Sequence, residues 1–268
     1  MTTVLVTGAT DGLGKALAAR LVGEGATVLL HARTRERGEQ ALADLEPGGG
    51  DLRLHVGDLS SLAEVRALAQ DVLDAHERLD VLVNNAGIGS TVPGGGARME
   101  SADGFELRFA VNYLGGFVLA ALLRERLAES APARIVNVAS AGQMAIDFDD
   151  VMLERSYDGT RAYCQSKLAQ VMHAFDLAEQ LAGDGVTATA LHPATYMPTK
   201  IVVGAGVRPV STLREGLDAT WRLVADPALA GVSGLYFNGT REARADPQAY
   251  DPEARRRLRE LAERLAGT

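Results

Sequence analysis

The sequence predicts an α/β fold: a single domain over residues 1–268, built on a doubly wound, seven-stranded parallel sheet with helices on both faces. Three observations predict it. Short apolar runs alternate with amphipathic segments from one end of the chain to the other. A glycine-rich turn follows the first apolar run and leads directly into a helical pattern. The 268 residues, 47% of them hydrophobic, suit one core, since α/β domains of this length fold as a unit.

The candidate strands are 3–7, 27–32, 52–56, 81–84, 134–139, 186–191 and 234–237. Between them, Leu13, Leu17 and Leu21 mark one helix face. Leu62, Val65, Leu68 and Val72 mark another, behind a capping box of Ser61 and Glu64. A helix between consecutive strands is what right-handed parallel crossovers require. The glycine runs at 48–50 and 94–96 are too short for domain linkers and read as surface loops.

A net charge of −8 argues against nucleic acid or an anionic membrane surface as partner, because both demand a concentrated positive patch. The run Arg255-Arg256-Arg257 lies among acids and reads as a solvated helix face. One cysteine, Cys164, permits no intrachain disulfide and suits a reducing compartment. No apolar stretch reaches the roughly 18 residues of a membrane span, and no basic-then-apolar leader opens the chain. A cytoplasmic location is therefore expected. No His/Asp/Glu grouping has metal-ligand spacing, so no metal is expected.

The turn after the first strand reads TGATDGLG, from Thr7 to Gly14. Gly8, Gly12 and Gly14 allow a tight turn and close backbone approach, and the helix N-terminus behind them attracts a pyrophosphate. Thr10, Asp11 and Leu13 belong to the same loop and join the candidate cofactor contacts. A strand, glycine loop and helix in this order are what the dinucleotide-binding half of a Rossmann fold would show, although the loop alone could equally be a structural turn. The second strand ends in His31-Ala32-Arg33-Thr34, with no carboxylate to hold a ribose 2′-hydroxyl. Arg33, with Thr34 beside it, is the candidate partner of a 2′-phosphate, which makes NADP(H) the preferred cofactor and NAD(H) the alternative. Asp11 opposes that preference if its charge lies near the 2′-phosphate.

Tyr163 and Lys167 stand four apart at the start of a helical period that continues through Leu168, Val171 and Phe175. On a helix they share a face, so an ammonium can lie near a phenol and favour its ionised form. A separate apolar strand ends in Ser140, and Asn112 stands in the segment VNYLGG. In a doubly wound sheet the carboxyl ends of the strands gather at one crevice, which would bring Ser140 to the Tyr163–Lys167 pair. Cys164, next to Tyr163, is expected to point away from that face. His192, without a nucleophile or carboxylate partner, reads as structural.

Taken together, TGATDGLG, Asp58-Leu59, Asn84-Asn85-Ala86-Gly87, Asn112, Ser140, Tyr163 with Lys167, and His192-Pro193-Ala194 resemble the short-chain dehydrogenase/reductase family in order and spacing along the chain. The segments HAR, YCQSKLA and LHPA resemble its retinol-dehydrogenase-like branch. The resemblance implies an oxidoreductase that interconverts a carbonyl (ketone, aldehyde or quinone) and an alcohol. In it Tyr163 would be the general acid/base and Ser140 the hydrogen-bond donor to the substrate oxygen. Lys167 would lower the tyrosine pKa and bind the nicotinamide ribose, and Asn112 would hold a relay water. It further implies that Asp58 and Leu59 flank adenine, and that Asn85, Ala86 and Gly87 line the ribose and nicotinamide side. After Pro193, either Thr195 or Thr199 would meet the cofactor amide. Many relatives are homodimers or homotetramers.

Two features depart from the family pattern. Ala194 follows Pro193 where glycine is common, and an acidic insertion containing Asp147, Asp149, Asp150 and Asp158 separates Ser140 from Tyr163. The insertion either shapes the substrate pocket or is a solvated loop. The segment 195–210, with Pro198, Gly204, Gly206 and Pro209 directly after the sixth strand, is expected to form a lid. Two other classes compete with the enzyme: a regulator that senses NADP(H) without turnover, and a nucleotide-sugar epimerase or dehydratase, for which little chain follows the seventh strand.

Overall fold

The computed structural model of this protein describes residues 2–45, 48–91 and 94–267, so the two end residues of the expected domain lie outside the described residues. Seven parallel strands form the sheet: β1 (Thr3–Val6), β2 (Thr27–Ala32), β3 (Asp51–Val56), β4 (Val81–Asn84), β5 (Ala133–Val138), β6 (Val186–His192) and β7 (Leu235–Asn238). Their spatial order is β3-β2-β1-β4-β5-β6-β7, so the chain winds outward from β1 and then returns to lay β4 against β1's other edge. That reversal is the doubly wound topology. Each expected strand is present, with ends displaced by about a residue, as fraying at strand termini makes usual.

The sheet has an eighth strand that the sequence reading lacked. β8 (Arg241–Ala243) runs antiparallel to β7 at the sheet edge. Gly239-Thr240 turns the chain, with Gly239 at φ +59, as two-residue hairpin loops favour. The strand escaped notice because its residues are polar and largely exposed, leaving no apolar alternation to detect.

Side-chain alternation sorts the sheet into two cores. Leu5, Leu29, Leu82 and Ile135 face one side, where they meet α3 (Leu62–Ala75), α4 (Gly115–Glu129) and α5 (Gly159–Gln180). Val4, Val6, Val28, Leu30, Val81, Val83, Val136 and Val138 face the other, under α1 (Gly12–Gly23), α2 (Arg35–Asp44) and α7 (Leu213–Ala225). Because both faces are covered, the strands read as continuous apolar runs rather than as alternating ones. A short α6 (Lys200–Gly204) lies between β6 and α7, and α8 (Pro252–Ala266) packs on α5.

The predicted capping box at α3 is half made. Ser61 Oγ accepts the Glu64 N–H at 3.4 Å, but the Glu64 carboxylate reaches past Ser61 to the Asp58 N–H at 2.8 Å. It thereby ties the loop after β3 to the helix. No described helix is long and apolar enough to cross a membrane.

His173, inside α5, packs its ring against Tyr113 and Phe117, and burial holds its pKa down to about 3. A folded-state pKa depressed below the ordinary 6.5 contributes stability that is fully present above 6.5 and is lost as pH falls toward 3. Denaturant midpoints measured from pH 7 down to pH 4 should therefore decline, this group contributing about 1.4 kcal/mol per pH unit. In His173→Phe the decline should be shallower. An unchanged slope would show that other groups carry it.

Candidate active site

The crevice lies where the topology reverses, at the carboxyl ends of β1 and β4, and extends across β2, β5 and β6 as a cavity of about 770 Å³. Thr7, the residue after β1, stitches the reversal together. Its hydroxyl donates to Val83 O at 3.1 Å and accepts the N–H groups of Asn85 at 2.9 Å and Ala86 at 3.0 Å. Asn85 Nδ2 returns a bond to Thr7 O at 2.8 Å. From the β2 side, His31 Nδ1 accepts the Gly8 N–H at 3.0 Å while Nε2 donates to Gly57 O at 2.8 Å. Burial holds this imidazole neutral, the only state with one acceptor and one donor nitrogen.

These braces leave no room in the loop. Gly8 sits at φ +65, and a Cβ there would stand 2.9 Å from Ala86 Cα. A Cβ on Gly14 would stand 2.4 Å from Gly8 O and 2.5 Å from Asn85 Nδ2. Asp11 caps α1, its carboxylate accepting the Gly12 N–H at 2.8 Å and pairing with Lys200 Nζ at 2.8 Å. Burial tends to raise its pKa, but the Lys200 and Gly12 contacts outweigh this and hold the carboxyl low. The charge that opposed an NADP(H) reading is thus paired with a cation of α6.

Of the expected cofactor contacts, Gly8, Thr10, Asp11, Gly12, Leu13, Gly14, Arg33, Asp58, Leu59, Asn85, Ala86, Gly87, Pro193 and Thr195 all line the crevice. Thr34 does not: it caps α2, its hydroxyl accepting the Arg37 N–H at 3.4 Å. In its place the structure brings Arg37, in the first turn of α2, to the crevice, with Ser60 beyond Asp58. Arg37 lies in the first turn of α2, which places it near the crevice only once the start of that helix is known. Thr195 and Thr199 both line the wall; Thr195 Oγ1 lies 3.1 Å from His192 Nε2, so it occupies that histidine.

At the other end Ser140, Tyr163 and Lys167 converge on the same cavity. Ser140 follows β5; its carbonyl accepts Tyr236 Oη at 3.0 Å and Gln143 Nε2 at 2.9 Å, and its hydroxyl accepts the Gly142 N–H at 3.0 Å. Tyr163 and Lys167 project from the first turns of α5. Burial raises the Tyr163 pKa, and the Ser140 hydroxyl beside it partly offsets that. Lys167 was expected to lie near the phenol and lower its pKa; here its ammonium meets other oxygens. Its Nζ lies 5.9 Å from the Tyr163 ring centre and donates to Val138 O at 3.0 Å and Gln170 Oε1 at 2.7 Å. Burial lowers Lys167 itself to about 7.

Asn112 stands behind the cavity wall rather than on it. It lies in a π-helical stretch, Phe109–Leu114, that runs into α4. Its Oδ1 accepts the Ile88 N–H at 2.8 Å, and its Nδ2 donates to Ile88 O at 3.2 Å and Ser166 Oγ at 2.9 Å. The residue thus clamps the loop after β4 to α5.

Cys164 corrects a further expectation, since it faces the crevice beside Tyr163. A Cβ on Gly142 would stand 3.5 Å from both Cys164 Sγ and Ser140 Oγ. Neighbouring helix positions diverge by about 100°, yet the cavity mouth is wide enough to take both. The acidic insertion does not line the cavity. Tyr157 Oη accepts from Arg108 Nη1 at 2.6 Å and donates to Glu106 at 3.0 Å, and Arg108 also donates to Gly89 O and Ser90 O. This group docks the insertion against the loop after β4, just before α5 begins. The expected lid segment forms the remaining wall through Thr195, Tyr196, Met197, Thr199, Ile201 and Val207, among others.

A sheet reversing between β1 and β4, a glycine loop at that reversal, and Ser140, Tyr163 and Lys167 across the cavity define a nucleotide-dependent oxidoreductase. The short chain dehydrogenase pattern matches residues 2–208, and the chain belongs to that family. It falls in the retinol-dehydrogenase-like branch. It is 38% identical to human retinol dehydrogenase 13 over 287 residues, covering 99% of this chain and 84% of that protein. It is also 38% identical to human retinol dehydrogenase 14, covering 99% and 86%. Among solved structures, an uncharacterized protein from Mycobacterium paratuberculosis superposes with a TM-score of 0.79 at 30% identity, covering 100% of this chain and 94% of that one. The Pseudomonas aeruginosa RhlG/NADP active-site complex gives 0.69 at 28%, covering 88% and 94%.

Gly14→Ala should force the loop apart at Gly8 O and Asn85. The expected outcome is at least a roughly tenfold weaker Kd for NADPH by fluorescence titration, equivalent to about 1.4 kcal/mol. Unaltered binding would mean that the loop takes no part in holding the nucleotide.

Proposed function

We propose that this oxidoreductase prefers NADP(H) and interconverts an apolar carbonyl compound and its alcohol, with Ser140, Tyr163 and Lys167 at the reacting end. One observation carries the reading: a single cavity is continuous from the cations Arg33 and Arg37, past the glycine loop, to Ser140 and Tyr163. Two exposed guanidiniums, one just after β2 and one in the first turn of α2, suit a 2′-phosphate, which accepts charge-assisted, forked hydrogen bonds. The glycine loop and α1's N-terminus suit a pyrophosphate. The similarity to a structure solved with NADP supports the same choice.

The nicotinamide supplies or accepts the hydride; the chain's own groups handle the proton and the oxygen. Tyr163 holds its proton at neutral pH because burial raises its pKa, so its Oη can donate to a carbonyl oxygen as that oxygen gains charge. Ser140 Oγ, held by the Gly142 N–H, presents a second donor to the same oxygen. Lys167 presents its ammonium to the ribose side, next to Gly87. Asn112 fixes the loop at Ile88 that walls the site, and in this reading it also holds the relay water. Ile88, Leu107, Val111, Met197, Ile201 and Val202 make the substrate side apolar. Such a lining suits a long apolar alcohol of the kind for which its relatives are named, retinol. Segment 195–210 would open to admit it. Its single cysteine leaves the enzyme suited to the cytoplasm.

NADPH oxidation against retinal and a panel of aldehydes, ketones and quinones tests the reading. Tyr163→Phe should lower kcat by about 10²–10⁴-fold while leaving the NADPH Kd unchanged. Alcohol oxidation requires the ionised phenol, so its kcat/KM should climb with pH through the alkaline range, whereas carbonyl reduction, which uses the protonated form, should not. A flat oxidation profile would remove Tyr163 from the proton-transfer role.

Arg33→Ser with Arg37→Ser should raise the KM for NADPH roughly ten- to a hundredfold and leave that for NADH within about twofold, on the scale of lost charge-assisted bonds. Equal losses with both cofactors would overturn the NADP(H) preference. Tight NADPH binding without turnover on any substrate would favour a sensing role.

A further inference from the structure

Lys167 is an unusual cation. It is 5% exposed, and burial is the dominant influence on its acidity. The titratable groups facing it are the Tyr163 phenol on its own helix and His192 at the end of β6, whose own pKa is lowered by burial and by Lys167. Asn112 and Gly87, on the side toward the loop after β4, are uncharged. Among the described residues no carboxylate pairs with it. A buried ammonium without a counter-ion depends on oxygen acceptors to stay protonated.

Two such oxygens meet it: Val138 O at 3.0 Å and Gln170 Oε1 at 2.7 Å. Val138 is backbone at the end of β5 and cannot be altered by substitution. Gln170 lies three positions after Lys167 on α5, so both side chains leave the same helix face, and it is 3% exposed. Gln170 is itself fixed. Its main-chain carbonyl accepts Asn137 Nδ2 at 2.9 Å, and Asn137 Oδ1 accepts Asn84 Nδ2 at 2.9 Å. A polar ladder from β4 through β5 thus ends on the residue that receives the ammonium. Val138 and Gln170 take two of the three N–H groups, leaving the third for the crevice, where Nζ lies 3.3 Å from the position of a Cβ on Gly87.

We propose that Gln170 is a positioning residue for the reaction assigned under Proposed function: its side-chain oxygen holds Lys167 as an ammonium against the end of β5, aimed at the cofactor ribose. Gln170 touches no substrate and acts only through Lys167. Removal of its oxygen leaves a four-carbon side chain with one fixed acceptor in an apolar setting, so the amine loses both its orientation and its proton more readily.

The chain contains three lysines, Lys15, Lys167 and Lys200, so ¹³Cε-lysine NMR can follow Lys167 individually in the intact protein, with Lys167→Arg to assign its signal. The variants are Gln170→Leu, which deletes the acceptor at similar volume, and Gln170→Glu, which restores an acceptor with a charge. The expected result is a Lys167 midpoint about one pH unit lower in the Leu variant, tenfold in its ionisation constant, and higher than wild type in the Glu variant. The pH at which NADPH-dependent kcat declines should move in the same directions.

A Leu variant that loses thermal stability but leaves the Lys167 midpoint unmoved would overturn the proposal, because a packing role alone does not shift that titration. If the Leu variant does not fold, an unmoved midpoint in the Glu variant overturns it equally. The titration needs no substrate, so a protein that shows the shift but turns nothing over would refute the catalytic reading and not the Lys167–Gln170 pairing.

Discussion

The parallel pairing of β1 with β4 is the constraint on which the rest depends. Val4, Leu5 and Val6 align with Val81, Leu82 and Val83, although β2, β3 and their helices intervene in the chain. The loops leaving these adjacent strands must diverge to opposite faces, since one leads to α1 and the other toward α4, and divergence opens a crevice. Thr7 and Asn85 close the floor of that crevice with mutual hydrogen bonds, so the glycine loop and the loop after β4 move as one piece. Were the register of β1 on β4 to slip by one residue, Leu5 would exchange faces with Val4 and Val6, and both cores would be lost.

The site inherits its geometry from that frame through a second tier of fixed polar contacts. His31 carries the loop from the β2 side, Asn112 joins Ile88 to α5, and Arg108 with Glu106 and Tyr157 docks the acidic insertion. Arg108 and Glu106 are almost wholly buried, and a buried pair of this kind is costly to break even where it adds little to net stability. Its value here is placement. It ties the insertion that follows Ser140 to the loop after β4, close to the start of α5.

Much of this was legible in the sequence for a physical reason. Strands covered on both faces announce themselves as apolar runs, and a glycine loop after such a run has few other uses. The residues that face the crevice at strand ends, Ser140 and Asn85 among them, follow from the same rule. What stayed hidden depended on side-chain partners across the fold. β8 is polar and short, the second arginine Arg37 required the start of α2 to be known, and Cys164 required the width of the cavity mouth. Helix spacing establishes that Lys167 shares a face with Tyr163 but not which oxygens its ammonium meets. Gln170 Oε1 receives the ammonium at 2.7 Å, and nothing local to the motif indicates that.

The charge distribution of the crevice differs from that of the whole chain, and the difference is functional in kind. The protein carries a net −8, which would repel an anionic nucleotide at long range. Along the crevice, however, the carboxylates are engaged: Asp11 by Gly12 and Lys200, and Asp58 by the Ser60 N–H at 2.9 Å. Arg33 and Arg37 stand exposed at one end and the Lys167 amine is buried at the other. At ordinary ionic strength a charge is screened over about 8–10 Å, so an approaching ligand senses the local cations rather than the distant acids. Burial depresses Lys167 and raises Tyr163, which favours the proton on the phenol and makes the ammonium conditional on its acceptors. Burial thus gives the two groups opposite demands: the tyrosine needs none of its neighbours to hold its proton, whereas the lysine depends on Val138 and Gln170 to hold its own.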